Sequence, residues 1–132
     1  MTEYLKKMIE RSSVDPPAAC IEAFNMAFNG AVNPEWHLIR GLFESVFYQD
    51  NLEHIAVFDD AGKLLEHKMF LPQELLPEQI RSDLLKRGEI MNAVLINKGH
   101  HIEYEAIVRV NTLERHQITC SQLGKILKEK KL

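Results

Sequence analysis

Phe43-Glu44-Ser45-Val46-Phe47 and Tyr104-Glu105-Ala106-Ile107-Val108 decide the fold. Both put apolar or small residues at every second position, the period of a half-buried strand, and they stand about 61 residues apart. The correspondence extends outward from them. Leu52-Glu53 falls on Leu113-Glu114 in the same register. Past one extra residue in the second copy, His54 falls on His116 and Phe58 on Cys120, and Gly62-Lys63-Leu64-Leu65 falls on Gly124-Lys125-Ile126-Leu127. A unit of about 55 residues is too short to bury a good core alone. Two such units side by side share one sheet.

Each unit reads as a helix followed by four strands. In the first, Asp15-Pro16-Pro17 is a helix start, and Ile21, Phe24 and Phe28 recur at helical steps over residues 17–28 until Asn29-Gly30. Trp36 to Arg40, Leu42 to Gln49, Glu53 to Phe58 and Leu64 to Phe70 follow as strands, with turns at Asp50-Asn51 and Asp59-Asp60-Ala61-Gly62. In the second, Leu76-Pro77-Glu78 opens a helix that Gly88 stops. Ile90 to Ile96, His101 to Val110, Glu114 to Cys120 and Ile126 to Lys130 are its strands. Turns this short join only antiparallel neighbours. The expected fold class is α+β: two tandem α-β4 repeats forming one continuous antiparallel sheet, with the helices packed on one face. The expected organisation is a single domain over 1–132, comprising an N-terminal amphipathic segment (1–15), repeat 1 (16–71) and repeat 2 (75–131).

Composition excludes several function classes. The chain has 132 residues, 45% of them apolar, which is ordinary for one globular domain. Its apolar runs are far short of the roughly 20 residues that cross a bilayer, so no membrane insertion is expected. Sixteen basic against nineteen acidic residues leave a net charge of −3 and no field to attract nucleic acid. Glu3, Lys6, Lys7, Glu10 and Arg11 break up the start of the chain, which lacks the apolar stretch of a secretory signal. The expectation is a cytoplasmic protein, or an exported one already trimmed. Tyr4, Leu5, Met8 and Ile9 fall at helical spacing, making residues 3–11 a short amphipathic helix. Cys20 and Cys120 each sit in an apolar pattern and read as buried thiols; a single bridge between them stays open.

The series Ala18…Phe24…Phe28, Ala31-Val32-Asn33 then Trp36, Phe43-Glu44-Ser45-Val46-Phe47, Val57-Phe58-Asp59-Asp60-Ala61-Gly62-Lys63-Leu64-Leu65 and Leu76-Pro77 resembles the PepSY-like family. These are small domains with a fold similar to beta-lactamase inhibitor proteins. The resemblance spans about residues 16–131. Pro34-Glu35 lengthens the approach to Trp36, and Cys120-Ser121-Gln122-Leu123 replaces the usual Phe-Asp before the second glycine. The resemblance implies a binding or inhibitory module, with no catalytic residues to carry over.

The alternation also assigns faces. Ile118 and Cys120 alternate with Gln117, Thr119 and Ser121, so they turn toward the helices, and by the repeat so do Ala56 and Phe58. Ile55 and Val57 then point to the helix-free face, as do Val46 and Tyr48. Val46, Tyr48, Ile55 and Val57, extended by Ile107, form an expected apolar patch with Glu44, Glu105 and Arg109 at its margin. Such a patch fits a protein interface. The candidate partner-binding residues are Val46, Tyr48, Ile55, Val57, Ile107 and Arg109. Residues 1–74 carry 6 basic and 12 acidic groups and residues 75–132 carry 10 and 7, which favours an antiparallel homodimer.

The remaining polar residues form no chemistry-bearing motif. His54 and His116 occupy equivalent repeat positions with structural roles, and His100-His101 is a turn pair. No HxH, HExxH or phosphate-cradling glycine motif is present. Asp59-Asp60 lacks the further oxygen ligands of a calcium loop. No metal and no cofactor are expected. The expected function is a non-enzymatic protein-binding module that meets a protein partner or a second copy of itself. The competing reading is a small cone-like enzyme or ligand-binding protein resembling nuclear transport factor 2, with His37, Tyr48 or His54 in a pocket. The helix midway along the chain counts against it.

Overall fold

A computed structural model describes residues 12–132; the helix expected over residues 3–11 lies outside the described residues. The class is α+β, with two α-helices and antiparallel pairing between strands consecutive in the chain. The chain divides into two units, Met1–His67 and Lys68–Leu132.

The first unit contains β1 (Ser12–Ser13), α1 (Ala18–Ala27), β2 (Val32–Ile39), β3 (Leu42–Gln49), β4 (Leu52–Phe58) and the start of β5 (Leu64–Phe70). β2 begins at Val32 rather than at Trp36, taking in Pro34 across a register shift between Val32 and Glu35. Asp15 does not cap α1. The cap is Pro17, with no side-chain hydrogen bond. Cys20, Phe24 and Phe28 form the buried stripe of α1, which packs on Phe47, Ala56 and Phe58. Phe24 meets Phe47 edge-on at 4.9 Å and Trp36 at 5.4 Å, the arrangement aromatic quadrupoles favour.

The turn after β4 is locked from within. Asp59 Oδ1 accepts from the Ala61 and Lys63 amides at 3.0 and 2.9 Å. Gly62 sits there at φ +85°, and a Cβ on it would lie 2.5 Å from the Ala19 carbonyl oxygen. Only glycine meets both demands.

The second unit continues through a 3-10 turn (Gln73–Leu75), α2 (Glu78–Arg87), β6 (Glu89–Asn97), β7 (Ile102–Asn111), β8 (Glu114–Ser121) and β9 (Ile126–Lys131). Ile80 and Leu84 of α2 pack on Ile90, Ala93, Ala106, Val108, Ile118 and Cys120. Glu78 in the first turn of α2 and Lys86 and Arg87 in its last complement the helix dipole. Gly88 lets α2 end tightly, because a Cβ there would lie 2.2 Å from the Arg109 carbonyl oxygen. Cys20 and Cys120 are free and buried, one in each core. Burial raises the pKa of both thiols.

Candidate binding surface

Register decides what the first unit presents away from α1. Phe43, Ser45 and Phe47 on β3 and His54, Ala56 and Phe58 on β4 alternate toward the core, and Trp36 and Leu38 of β2 stand opposite Ser45 and Phe43. The other parity therefore forms the helix-free face: Glu35 and His37 on β2, Glu44, Val46 and Tyr48 on β3, Glu53, Ile55 and Val57 on β4. Val46 stands directly opposite Ile55, Glu44 opposite Val57 and Tyr48 opposite Glu53. The Tyr48 hydroxyl reaches Glu53 Oε2 at 3.4 Å.

This face is less bare than alternation alone suggests. Tyr48 is half exposed, but Val46, Ile55 and Val57 are half-buried. Glu44, expected at the margin, stands mid-strand between His37 and Val57 and keeps only 7% of its surface. The most exposed apolar side chains are elsewhere, Met26 on α1 and Leu113 and Leu123 in turns.

Ile107 and Arg109, the other two candidates, lie on β7 in the second unit. The Ile107 amide donates to Asn92 Oδ1 at 3.1 Å, and Arg109 pairs with Glu89 at 2.5 Å. Around Ile107 the helix-free side carries Val94 opposite Glu105 and Ile96 opposite Glu103, with both apolar residues buried, at 7% and 5% exposure. Sequence reasoning missed this pair. The signal is the register shift between Ile90 and Asn92, which puts Ile90 on the helix side and Val94 and Ile96 on the other.

The histidines serve the framework. His54 is buried in the first core against His67 and Phe47. His116 bridges Glu114 and Glu129, both at 2.6 Å, and Arg87 closes on the same Glu129. The Glu129 and Glu114 carboxylates raise the His116 pKa, and hydrogen bonding to His116 lowers theirs. Among the described residues no group of three or more His, Cys, Asp and Glu side chains is placed to hold a metal ion. A surface depression of about 440 Å³ is lined by Glu78, Arg81, Ser82, Leu85 and Lys86. All five belong to α2, so their polar groups splay from one helix and do not converge on a ligand as a pocket requires.

Solved structures share this architecture. A DUF2874 family protein from Bacteroides ovatus superposes with a TM-score of 0.81 at 14% identity, covering 89% of each chain. A BLIP-like protein from Bacteroides fragilis gives 0.80 at 17% identity, over 90% of this chain and 88% of the other. The fold is BLIP-like. A third neighbour, from Bacteroides eggerthii, is provisionally described as periplasmic; it gives a TM-score of 0.81 at 12% identity, over 89% of this chain and 90% of the other. No family model and no curated protein matches the chain. At these identities the likeness is one of fold. It agrees with the beta-lactamase-inhibitor-like architecture expected from the sequence and disfavours the cone-like alternative. Among the described residues no helix is long and apolar enough to cross a membrane.

Proposed function

We propose that this chain is a non-enzymatic, PepSY-like protein-binding module, built from two copies of a helix-plus-meander unit, that binds its partner through the helix-free face of its first unit. The observation that carries this reading is the register of β3 on β4. It lines Val46, Ile55 and Val57 beside the half-exposed Tyr48 on a side from which α1 is absent. Tyrosine beside aliphatic side chains is the composition of interface cores. The fold shared with a BLIP-like protein is consistent with a protein-binding module. The partner is another protein or a second copy.

The test replaces Tyr48→Lys and Val57→Lys together. Each lysine faces a cross-strand glutamate, Glu53 or Glu44, so the sheet retains a favourable pair while the face loses its apolar character. Solution mass by light scattering reports self-association, and capture from native lysate by the wild type and the variant reports a partner. The expected result is association by the wild type that the folded variant loses. Equal association by both sinks the assignment of this face.

A further inference from the structure

The outermost strand of the second unit presents a preformed edge. Among the described residues β9 pairs with β8 alone, and every residue of Ile126–Lys131 is exposed. The Leu132 amide donates to the Arg115 carbonyl at 2.8 Å, which makes those two a hydrogen-bonded pair. Antiparallel ladders alternate, so Lys130 and Lys128, opposite Gln117 and Thr119, direct their backbone groups to β8. The N–H and C=O of Glu129 and Lys131, opposite Ile118 and His116, point to the open side. The Glu129 side chain holds this edge in place: His116 of β8 bonds it at 2.6 Å and Arg87 of α2 pairs with it. A strand already ordered loses less entropy on pairing than one that must form on binding.

The side chains give this edge a preference. Ile118 and Cys120 face α2, so Gln117 and Thr119 lie on the helix-free side with their partners Lys130 and Lys128, and Arg115 is one step further along β8. Among the described residues no carboxylate of β8 or β9 lies on that side; the nearest, Glu103 and Glu105, are on β7. The acids of the other side, Glu114 and Glu129, are matched by Lys131, His116 and Arg87. Lysines alone would mark an edge guarded against stray pairing. Ile126 and Leu127 contradict a purely guarding role, because they begin the same strand about half exposed, at 45% and 50%. A second copy is a poor occupant. Two β9 strands paired antiparallel about Glu129 would set Lys128 of one against Lys130 of the other, and like charges directly opposite are destabilising.

We propose that β9 takes on an extra strand, an extended segment of a partner protein that carries carboxylates and aliphatic residues. Its backbone bonds Glu129 and Lys131, and carboxylates at every second position meet Lys128 and Lys130 on the helix-free side. Its aliphatic residues meet Ile126 and Leu127. This site lies in the second unit and does not depend on the face proposed above for the first.

The probe is a fluorescein-labelled octapeptide alternating valine with glutamate, titrated into the full chain. Fluorescence anisotropy should show saturable binding, weakened about tenfold or more by Lys128→Glu combined with Lys130→Glu. The same octapeptide N-methylated at every residue keeps its charge but has no backbone donors, and should not bind. Hydrogen exchange reads the ladder directly. The peptide should protect the Glu129 and Lys131 amides and leave those of Lys128 and Lys130, already bonded to β8, unchanged. Tyr48→Lys with Val57→Lys should leave peptide binding intact. The proposal falls if the methylated peptide binds equally, if an octapeptide alternating valine with lysine binds as well, or if exchange at Glu129 and Lys131 does not slow. It falls too if those amides gain protection with rising protein concentration alone, which makes a second copy the occupant.

Discussion

His54 and His67 stack with their ring planes 5° from parallel and their centroids 5.1 Å apart, and a 2.9 Å hydrogen bond joins His54 Nδ1 to His67 Nε2. The Gln49 carbonyl lies 3.1 Å from His54 Nε2, so that nitrogen carries a proton and donates. Nδ1 of His54 then accepts from His67 Nε2–H, an assignment made by the network. Phe28 and Phe47 enclose the pair. Burial and the neighbouring His54 push the His67 pKa down to about 4 from its ordinary 6.5.

That depression makes stability acid-sensitive well above the carboxylate range. The unfolded chain takes a proton on His67 near pH 6.5, whereas the folded chain resists until about 4. The contribution is therefore full above 6.5 and drains away as pH falls between those values. His116, whose pKa is raised, has the opposite sign. Its contribution is full below 6.5 and fades as pH climbs through its folded value. His67→Phe keeps the stack and removes the titration. The loss of stability from neutral pH to about pH 5 should shrink by about 1–2 kcal/mol, allowing for partial exposure. Urea midpoints at the two pH values check this; an unchanged difference between wild type and variant contradicts it.

Ser45 is the second polar group in this core. It is fully buried opposite Ala56, and among the described residues its Oγ has no hydrogen-bond partner. A buried hydroxyl left unpaired costs free energy that its removal returns. Ser45→Ala should raise stability by up to about 1 kcal/mol. A loss of more than about 1 kcal/mol in denaturant melts would reveal a partner for the hydroxyl.

Gly62 and Gly99 separate conformational strain from crowding. Both have positive φ, +85° and +92°, but a Cβ at Gly62 meets the Ala19 carbonyl at 2.5 Å while one at Gly99 meets nothing within 4 Å. Gly99→Ala should cost about 1 kcal/mol from the backbone alone. Gly62→Ala must also push α1 from the turn and should cost at least about 2 kcal/mol more. Equal thermal shifts for the two variants would show that α1 yields freely at Ala19.

The sequence exposed most of the framework because strand period and turn chemistry are local properties. Leu42–Gln49 and Leu64–Phe70 have the bounds their alternation predicts, and Gly88 ends the second helix. β1 was illegible because two residues carry no period. The start of β2 was obscured by Pro34, which reads as a breaker. It is tolerated because β1 covers only His37 and Leu38, leaving Pro34 on an uncovered edge at a register shift. At the candidate surface the face of each residue was readable from parity, but the burial of Glu44, Val94 and Ile96 depends on what covers a face, and alternation does not encode that. His67 also escaped notice, since its partner His54 sits on the neighbouring strand and only shared inward parity links them.

Adjacent residues on β4 test that parity energetically. Phe58 is fully buried against Trp36, at 5.6 Å between rings, while Val57 points the other way and stands opposite Glu44. Phe58→Ala leaves a cavity in a core that cannot close around it and should cost about 3–5 kcal/mol. Val57→Lys exchanges a half-buried aliphatic contact for a cross-strand pair with Glu44, and should cost under about 1 kcal/mol. The ratio of the two is the informative quantity, because both variants share one strand, one turn and one unfolded chain. Chemical denaturation of the two proteins side by side measures it. Similar losses would mean that both faces of β4 are packed alike, and the distinction between a helix side and a helix-free side would fall with them.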